Sequence, residues 1–299
     1  MKFSRFAVAF ALALSATVLP SASHAEPADT TVEKAAGVVR VMSWNIRYHT
    51  LADGLDAWPL RRDELAELIR TNSVDLLGLQ EVLPSQLNDL TERLPAFSWV
   101  GVGRDDGKRQ GEFVPIFYRT NRFEVHDQGA FWLSEKPDEP GRRDWGAGCP
   151  RVTTWIRLRD KQSGQTLIMF NTHFDHASGQ AREKSVGVLQ QQIARHAGSP
   201  LVLTGDFNCT SDSTPYRLLT APDDENAATA LADAHDVCEQ AHEGPDSTWN
   251  GFRDIQPGRR IDFIFIRNVT VARHEILDAR RAGGRFLSDH LPVLVDVRW

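Results

Sequence analysis

Six apolar runs in this chain each carry a polar side chain at one tip, and that repetition constrains the fold more than any other feature. Five are Val41-Met42-Ser43-Trp44-Asn45, Leu76-Leu77-Gly78-Leu79-Gln80-Glu81, Leu167-Ile168-Met169-Phe170-Asn171-Thr172-His173, Leu201-Val202-Leu203-Thr204-Gly205-Asp206-Phe207-Asn208 and Arg260-Ile261-Asp262-Phe263-Ile264-Phe265. The sixth, Ser288-Asp289-His290-Leu291-Pro292-Val293, sets an acid–imidazole pair before its apolar residues. A buried strand that stops at a carboxylate, carboxamide or imidazole puts that group at the rim of a sheet, and residues two apart share a face. Six such tips predict one shared rim, and a rim of such groups is a site.

The segments between the runs fill in an α/β chain. Leu60 to Arg70 sets Leu65, Leu68 and Ile69 on one helical face, and Arg182 to Ala197 does the same with Val186, Leu189 and Ile193. Gln86 to Leu94 reads as a short helix. Phe97–Val102 and Phe113–Tyr118 read as strands around the polar tip Arg104–Gly111, and Val152–Arg159 pairs with Thr166–Asn171 as a hairpin. Val269–Glu275 and Leu291–Val297 complete the strands. Ala130 to Pro150, which holds Phe131, Trp132 and Trp145, is too polar for core and reads as a surface loop with a task. Pro222–Asn226 and His242–Asp246 read as turns around a short acidic helix. Strands joined by helices in some places and hairpins in others predict two mixed sheets packed together with helices outside.

Residues 1–25 read as an export signal: Lys2 and Arg5, an apolar stretch from Phe6 to Leu19 too short to span a bilayer, then small residues at Ser23 and Ala25. Residues 26–37 read as a mobile polar leader, leaving residues 38–299 as one catalytic domain. Loss of the signal removes two cations and no acid, so the net charge of -6 becomes about -8. That balance speaks against a coat protein for nucleic acid, but not against an enzyme that grips phosphate through a metal and a few arginines. The three cysteines, Cys149, Cys209 and Cys238, lack metal-ligand spacing and allow at most one disulfide. Cys209, next to Asn208, is a candidate free thiol near the site.

Asp206 and Asn208 face one point: the carboxylate can orient or deprotonate a water, and the carboxamide can hold an anionic oxygen. An ordinary Asx turn would produce the same triplet. Glu81 and Asn45 offer oxygen to a hard cation such as Mg²⁺, though Glu81 taken alone reads as a helix N-cap or a surface acid. His290 has two candidate orienters, Asp289 and Asp262, and a carboxylate on one ring nitrogen favours the charged imidazole. His173 offers a second donor to a phosphoryl oxygen. Together these groups point to metal-assisted phosphoryl transfer to water.

In this order the six segments resemble the endonuclease/exonuclease/phosphatase superfamily, the DNase I-like fold, across nearly all of residues 38–299. The resemblance implies a four-layer α/β/β/α sandwich of two mixed sheets flanked by helices, and Mg²⁺ or Mn²⁺ as cofactor. It implies Glu81 as principal metal ligand with Asn45 beside it, and Asp289 serving metal or imidazole. Asp206 becomes the water-orienting acid, Asn208 the phosphate holder, His290–Asp262 the acid–imidazole pair and His173 a ligand of phosphoryl oxygens. The tract Phe131-Trp132-Leu133-Ser134-Glu135, with Cys149-Pro150-Arg151 and Asn171-Thr172-His173-Phe174-Asp175-His176, is similar to an exported bacterial branch of unassigned substrate.

Departures narrow the substrate. Gly258-Arg259-Arg260-Ile261 stands where inositol-polyphosphate 5-phosphatases carry a Trp-Cys-Asp-Arg type segment. The aromatic loop near Trp132 mixes with charge, unlike the membrane-entering hairpin of sphingomyelinases, and an acidic exported chain suits abasic-site nucleases poorly. The leading expectation is an exported, metal-dependent phosphodiesterase of nuclease-like type, periplasmic or secreted. A phosphomonoesterase or a phospholipid or sugar phosphodiesterase of the same fold is the alternative, and an anion-binding module without turnover is the non-enzyme reading. Arg151 and Arg182, closest to motif strands, are candidate phosphate ligands, and Trp249 a stacking platform for a base or sugar. The mature chain is expected to be a monomer acting on a phosphoester, nucleic acid among the candidates, without stable membrane insertion.

Overall fold

The computed structural model describes residue 1, residues 37–221 and residues 228–299. The export signal, the leader up to residue 36 and the turn expected at Pro222–Asn226 lie outside the described residues. The elements are β1 (Val39–Asn45), α1 (Arg62–Thr71), β2 (Leu76–Gln80), α2 (Pro84–Arg93), β3 (Phe97–Val100), β4 (Ile116–Arg119), β5 (Phe123–Trp132), β6 (Val152–Asp160), β7 (Thr166–His173), α3 (Gly179–Ala194), β8 (Leu201–Asp206), α4 (Thr214–Thr220), β9 (Ala232–Asp233), β10 (Asp262–Arg267), β11 (Thr270–Ile276) and β12 (Val293–Arg298).

They form two six-stranded sheets, ordered β11-β12-β1-β2-β4-β3 and β5-β6-β7-β8-β10-β9. Both are mixed: β1–β2 and β7–β8 run parallel, and the other pairs are antiparallel. Strand alternation sorts the side chains into layers. Val39, Val41 and Leu76 of one sheet meet Leu167, Met169, Val202 and Ile264 of the other in the central core. The opposite faces, Met42, Trp44, Leu77 and Leu79, bury Leu65, Ile69, Leu87 and Leu90 of α1 and α2. On the far side Ile168, Phe170, Leu203 and Phe265 take Val186, Leu189 and Ile193 of α3 and Leu219 of α4. The layers are therefore α/β/β/α, with burial of each Leu, Ile or Val contributing about 1.5–3 kcal/mol.

Local chemistry sets the helix boundaries. Ser178 and Ser213 cap α3 and α4 by accepting from the Ala181 and Tyr216 amides, and Pro84 opens α2. Asp63 and Glu64 sit in the first turn of α1 and Arg70 in its last, matching the helix dipole.

Two sequence expectations need correction. Phe131, Trp132 and Leu133 are buried, and the first two end β5 rather than lying in a surface loop. β5 escaped notice because its middle is an edge strand with exposed Glu124, Asp127 and Gln128 and a bulge between Val125 and Asp127, so it shows no clean alternation. The short acidic helix expected before His242 is absent among the described residues; strand β9 and turns occupy that stretch. No described helix is long and apolar enough to cross a membrane. All three cysteines are free thiols.

Candidate active site

The face each sheet turns to the other changes character along the strands. Beyond the apolar core lies a polar layer: Gln80 Nε2 donates to Asn171 Oδ1 at 2.7 Å, as does Thr204 Oγ1 at 3.0 Å. The Asn171 carboxamide donates in turn to the carbonyls of Leu79 (2.7 Å) and Pro115 (3.0 Å). Gly78 is obligatory here, because a Cβ would lie 2.2 Å from Thr204 Oγ1 and 2.7 Å from Asn171 Oδ1. One step further along the strands is the rim.

At the rim, strand register lines up the second sheet's contribution: His173 is the β-partner of Asp206, and Asp206 of Asp262. The first sheet supplies Asn45, Glu81, Asp289 and His290. Bonds cross between the sheets. His290 Nδ1 lies 2.8 Å from Asp262 Oδ2, so Asp262, not the adjacent Asp289, orients the imidazole. Asn45 Nδ2 donates to Asp206 Oδ2 at 2.9 Å and to Glu81 Oε1 at 3.0 Å. Glu81 (φ 63°), Asn208 (φ 49°) and Arg47 (φ 55°) all adopt left-handed backbone, the abrupt exit that turns each strand end back on the cleft.

Electrostatics divide the roles. Burial and the Asp262 charge push the Asp206 carboxyl up to about 7, against the pull of His290 and of the Asn45 amide. Burial opposes charge on His290, but Asp262 and Asp206 outweigh it and hold this imidazole well above its usual value. Burial, with the Arg151 and Arg104 charges, holds His173 well below. One histidine is thus a cation and the other neutral at pH 7. Asn208 Nδ2 donates to the Phe174 carbonyl (3.0 Å), which fixes its amide orientation and turns the second hydrogen to His173 Nε2 (3.0 Å). With both hydrogens engaged, Asn208 here orients His173, where the resemblance implied a grip on phosphate.

The residues fit a hard divalent cation. Glu81 and Asp289 lie on either side of Arg47, whose guanidinium is 4.0 Å from Glu81 Oε2 and 3.9 Å from Asp289 Oδ2. Burial raises the Asp289 carboxyl and the Glu81 charge adds to it, although His290 pulls the other way. A cation between two such carboxylates would offset that repulsion. Asn45 is less suited to ligation than its position implied, because its Oδ1 accepts from the Arg47 amide at 3.0 Å and its nitrogen faces the acids. Asp206, Asp262 and His290 also bring ligand atoms within 4.8 Å of one another. With His290 charged and its Nδ1 committed to Asp262, that trio handles protons better than metal.

These groups open into a cavity of about 450 Å³ whose lining includes Glu81, Asp206, Asp289, His290, His173 and Asn208. Trp249 lines it, beside its β-partner His290. Arg151 also lines it, donating to His176 Nδ1 at 2.8 Å and to Asp175 Oδ2 at 3.4 Å. Arg182 does not line the cavity; its Nη1 is spent on the Asp175 carbonyl at 2.7 Å, bracing the start of α3. The cysteine of the cleft is Cys149, not Cys209. Arg47, Arg104, Glu112 and His176 were not anticipated as lining residues. Arg47 could have been found, two residues beyond Asn45 at the end of a motif strand; Arg104 and Glu112 sit in a loop with no motif.

Two mixed sheets between helices, with one polar cleft at the strand tips, make up the DNase I-like fold. The chain belongs to the endonuclease/exonuclease/phosphatase family, whose model matches residues 42–290. Proteins of this family are phosphoester hydrolases and generally use a divalent metal. The structure is similar to an endonuclease/exonuclease/phosphatase of Bacteroides vulgatus, with 38% identity, TM-score 0.82, and 87% of this chain and 98% of that one covered. It is also similar to a mannosyl-6-phosphatase of Bacteroides thetaiotaomicron, with 33% identity, TM-score 0.80, and coverage of 87% and 100%. Among curated proteins, an uncharacterised protein of Acanthamoeba polyphaga mimivirus is 26% identical over 58% of this chain, which spans 30% of that relative's length.

Proposed function

We propose that this protein is an exported phosphoester hydrolase, dependent on Mg²⁺ or Mn²⁺, that acts on a small phosphorylated molecule and prefers a phosphomonoester. The cleft's form carries this reading. At about 450 Å³ it has the size of a small-ligand pocket. The loop of residues 101–113 is tied to the end of β5 by the Trp132 Nε1 bond to the Arg104 carbonyl (2.6 Å) and packs on the following loop at Gly107, where a Cβ would lie 3.1 Å from Pro140. Arg47 and Arg151 in its walls suit a dianionic terminal phosphate. The likeness to a mannosyl-6-phosphatase across that protein's full length supports the monoester over the nuclease-like diesterase.

Asp206, titrating close to neutrality, orients the attacking water and accepts its proton. His290, cationic and held by Asp262, stabilises charge building on the phosphoryl oxygens. Arg151 adds a second cation, and Asn208 keeps His173 in place. Glu81 and Asp289 would hold the divalent ion, which supplies Lewis-acid polarisation when bound.

The test uses purified protein with p-nitrophenyl phosphate and bis-p-nitrophenyl phosphate. The monoester turns over faster, EDTA abolishes activity, Mg²⁺ or Mn²⁺ restores it, and His290→Ala lowers kcat by about 10²–10⁴-fold. Activity surviving both EDTA and His290→Ala refutes the mechanism; faster diester hydrolysis returns the case to the nuclease-like reading. Export is checked by mass spectrometry of periplasmic and culture fractions, with an N-terminus after Ala25 expected. Retention of the uncleaved chain in the cytoplasm overturns it.

A further inference from the structure

Arg104 and Glu112 form a wall of the cleft that the phosphoryl chemistry does not use. Arg104 Nη1 donates to Glu112 Oε2 at 2.5 Å, and the Arg104 amide donates to the Glu112 carbonyl at 3.0 Å. Glu112 Oε1 makes no hydrogen bond among the described residues and is not shut away from the cavity. The same pair shares a water-sized void with Arg151 and His173, so it lies directly beside the reacting end of the cleft. Beside it His176 presents a further donor: Arg151 donates to Nδ1, which leaves the ring hydrogen on Nε2.

The wall is braced. Asp106 Oδ1 accepts from the Lys108 and Gln110 amides, at 2.8 and 2.9 Å, inside the loop between the two residues. Trp132 Nε1 holds the Arg104 carbonyl at 2.6 Å, and Gly107 packs so closely that a Cβ would lie 3.1 Å from both Trp132 and Pro140. A polar pair held this rigidly at a cavity wall is suited to reading a ligand group.

We propose that Glu112 and Arg104 recognise hydroxyl groups on the leaving alcohol, making a sugar phosphate or similar polyhydroxylated phosphomonoester the substrate class. This deepens the hydrolase reading and rests on it. A carboxylate oxygen that accepts, next to guanidinium and imidazole hydrogens that donate, matches vicinal hydroxyls, each of which can do both. A cationic leaving group would meet Arg104 and Arg151, and an apolar one would desolvate Glu112 without compensation. Sites built to hydrogen-bond a hydroxyl discriminate strongly against analogues lacking it.

The experiment compares kcat/KM on a hexose 6-phosphate, on phenyl phosphate, which has no hydroxyl on its leaving group, and on a nucleoside 5′-monophosphate. Glu112→Ala lowers the hexose-to-phenyl ratio by roughly 10–100-fold, and Glu112→Gln, which keeps an acceptor, recovers part of it. Equal losses on both substrates, or a wild-type preference for phenyl phosphate, overturn the assignment; the nucleoside monophosphate, whose ribose also carries vicinal hydroxyls, loses turnover with Glu112→Ala as the hexose phosphate does. If the wild type hydrolyses none of the three, the phosphomonoesterase reading fails, and calorimetry then decides the subsite by itself. Hexose 6-phosphate binding that Glu112→Ala weakens tenfold or more supports it, and binding indifferent to Glu112 refutes it.

Discussion

Replacing Gly78 and Gly187 by alanine adds the same methyl group to two sites with opposite surroundings. At Gly78 the new Cβ falls 2.2 Å from Thr204 Oγ1 and 2.9 Å from Asn171 Cγ, in a layer where nothing is exposed. Overpacking costs about 1–3 kcal/mol. Displacing the Asn171 carboxamide also strips partners from Gln80, Thr204 and the Leu79 and Pro115 carbonyls, at about 1–3 kcal/mol for each group left buried and unpaired. Because part of the strain relaxes, about 3–5 kcal/mol is expected in total, a fall in Tm of about 10 °C for a domain this size. Gly187, mid-helix in α3 with nothing within 4 Å of its Cβ position, instead gains helix propensity of about 0.5–1 kcal/mol. Denaturant titration of both variants gives the two numbers. A Gly78→Ala loss below about 1 kcal/mol, or shifts of the same sign at both sites, refutes the picture of a close polar contact between the sheets.

Further predictions concern groups remote from the cleft. Arg122 donates to Asp75 Oδ2 (2.8 Å), Asp160 Oδ2 (3.2 Å) and the Val38 carbonyl (2.7 Å), all buried, so Arg122→Ala costs about 3–5 kcal/mol, read by chemical denaturation. His274 meets His235 and His242 edge to face, with ring centroids 5.2 and 4.9 Å away, and burial together with those imidazoles pushes it down to about 3. Since its unfolded value is about 6.5, its contribution to stability is complete above that pH and lost as pH falls towards 3. Denaturation midpoints therefore drop across that window, and His274→Leu flattens the drop. Trp249→Ala, which removes a wall of the cavity, raises KM for a sugar phosphate several-fold in steady-state assays while the protein stays folded.

What was legible in the sequence follows the range of the interactions involved. Strand tips such as Gly205-Asp206-Phe207-Asn208 are local, so their polar ending and period-2 geometry could be read directly, and register then aligned His173, Asp206 and Asp262. The pairing of His290 with Asp262 over Asp289 was open from sequence, because it depends on how two sheets dock. Arg104 and Glu112 were illegible as lining residues: loop folding and the Trp132 contact bring them to the cleft, and no periodicity encodes either. Arg182 misled because closeness in sequence to a motif strand says nothing of direction; its guanidinium turns to the Asp175 carbonyl. Asn45 stands at the rim beside Glu81, but which of its amide atoms faces Glu81 is set by the Arg47 amide behind it.

The bonds that cross from one sheet to the other have a temporal consequence. His290 hangs from the first sheet and Asp262 from the second, as do Asn45 and Asp206. A chain with only one sheet formed would hold half of each pair and present neither an oriented imidazole nor a tethered acid. The onset of activity during refolding should therefore coincide with the docking of the two sheets, and a half-assembled molecule would be chemically silent.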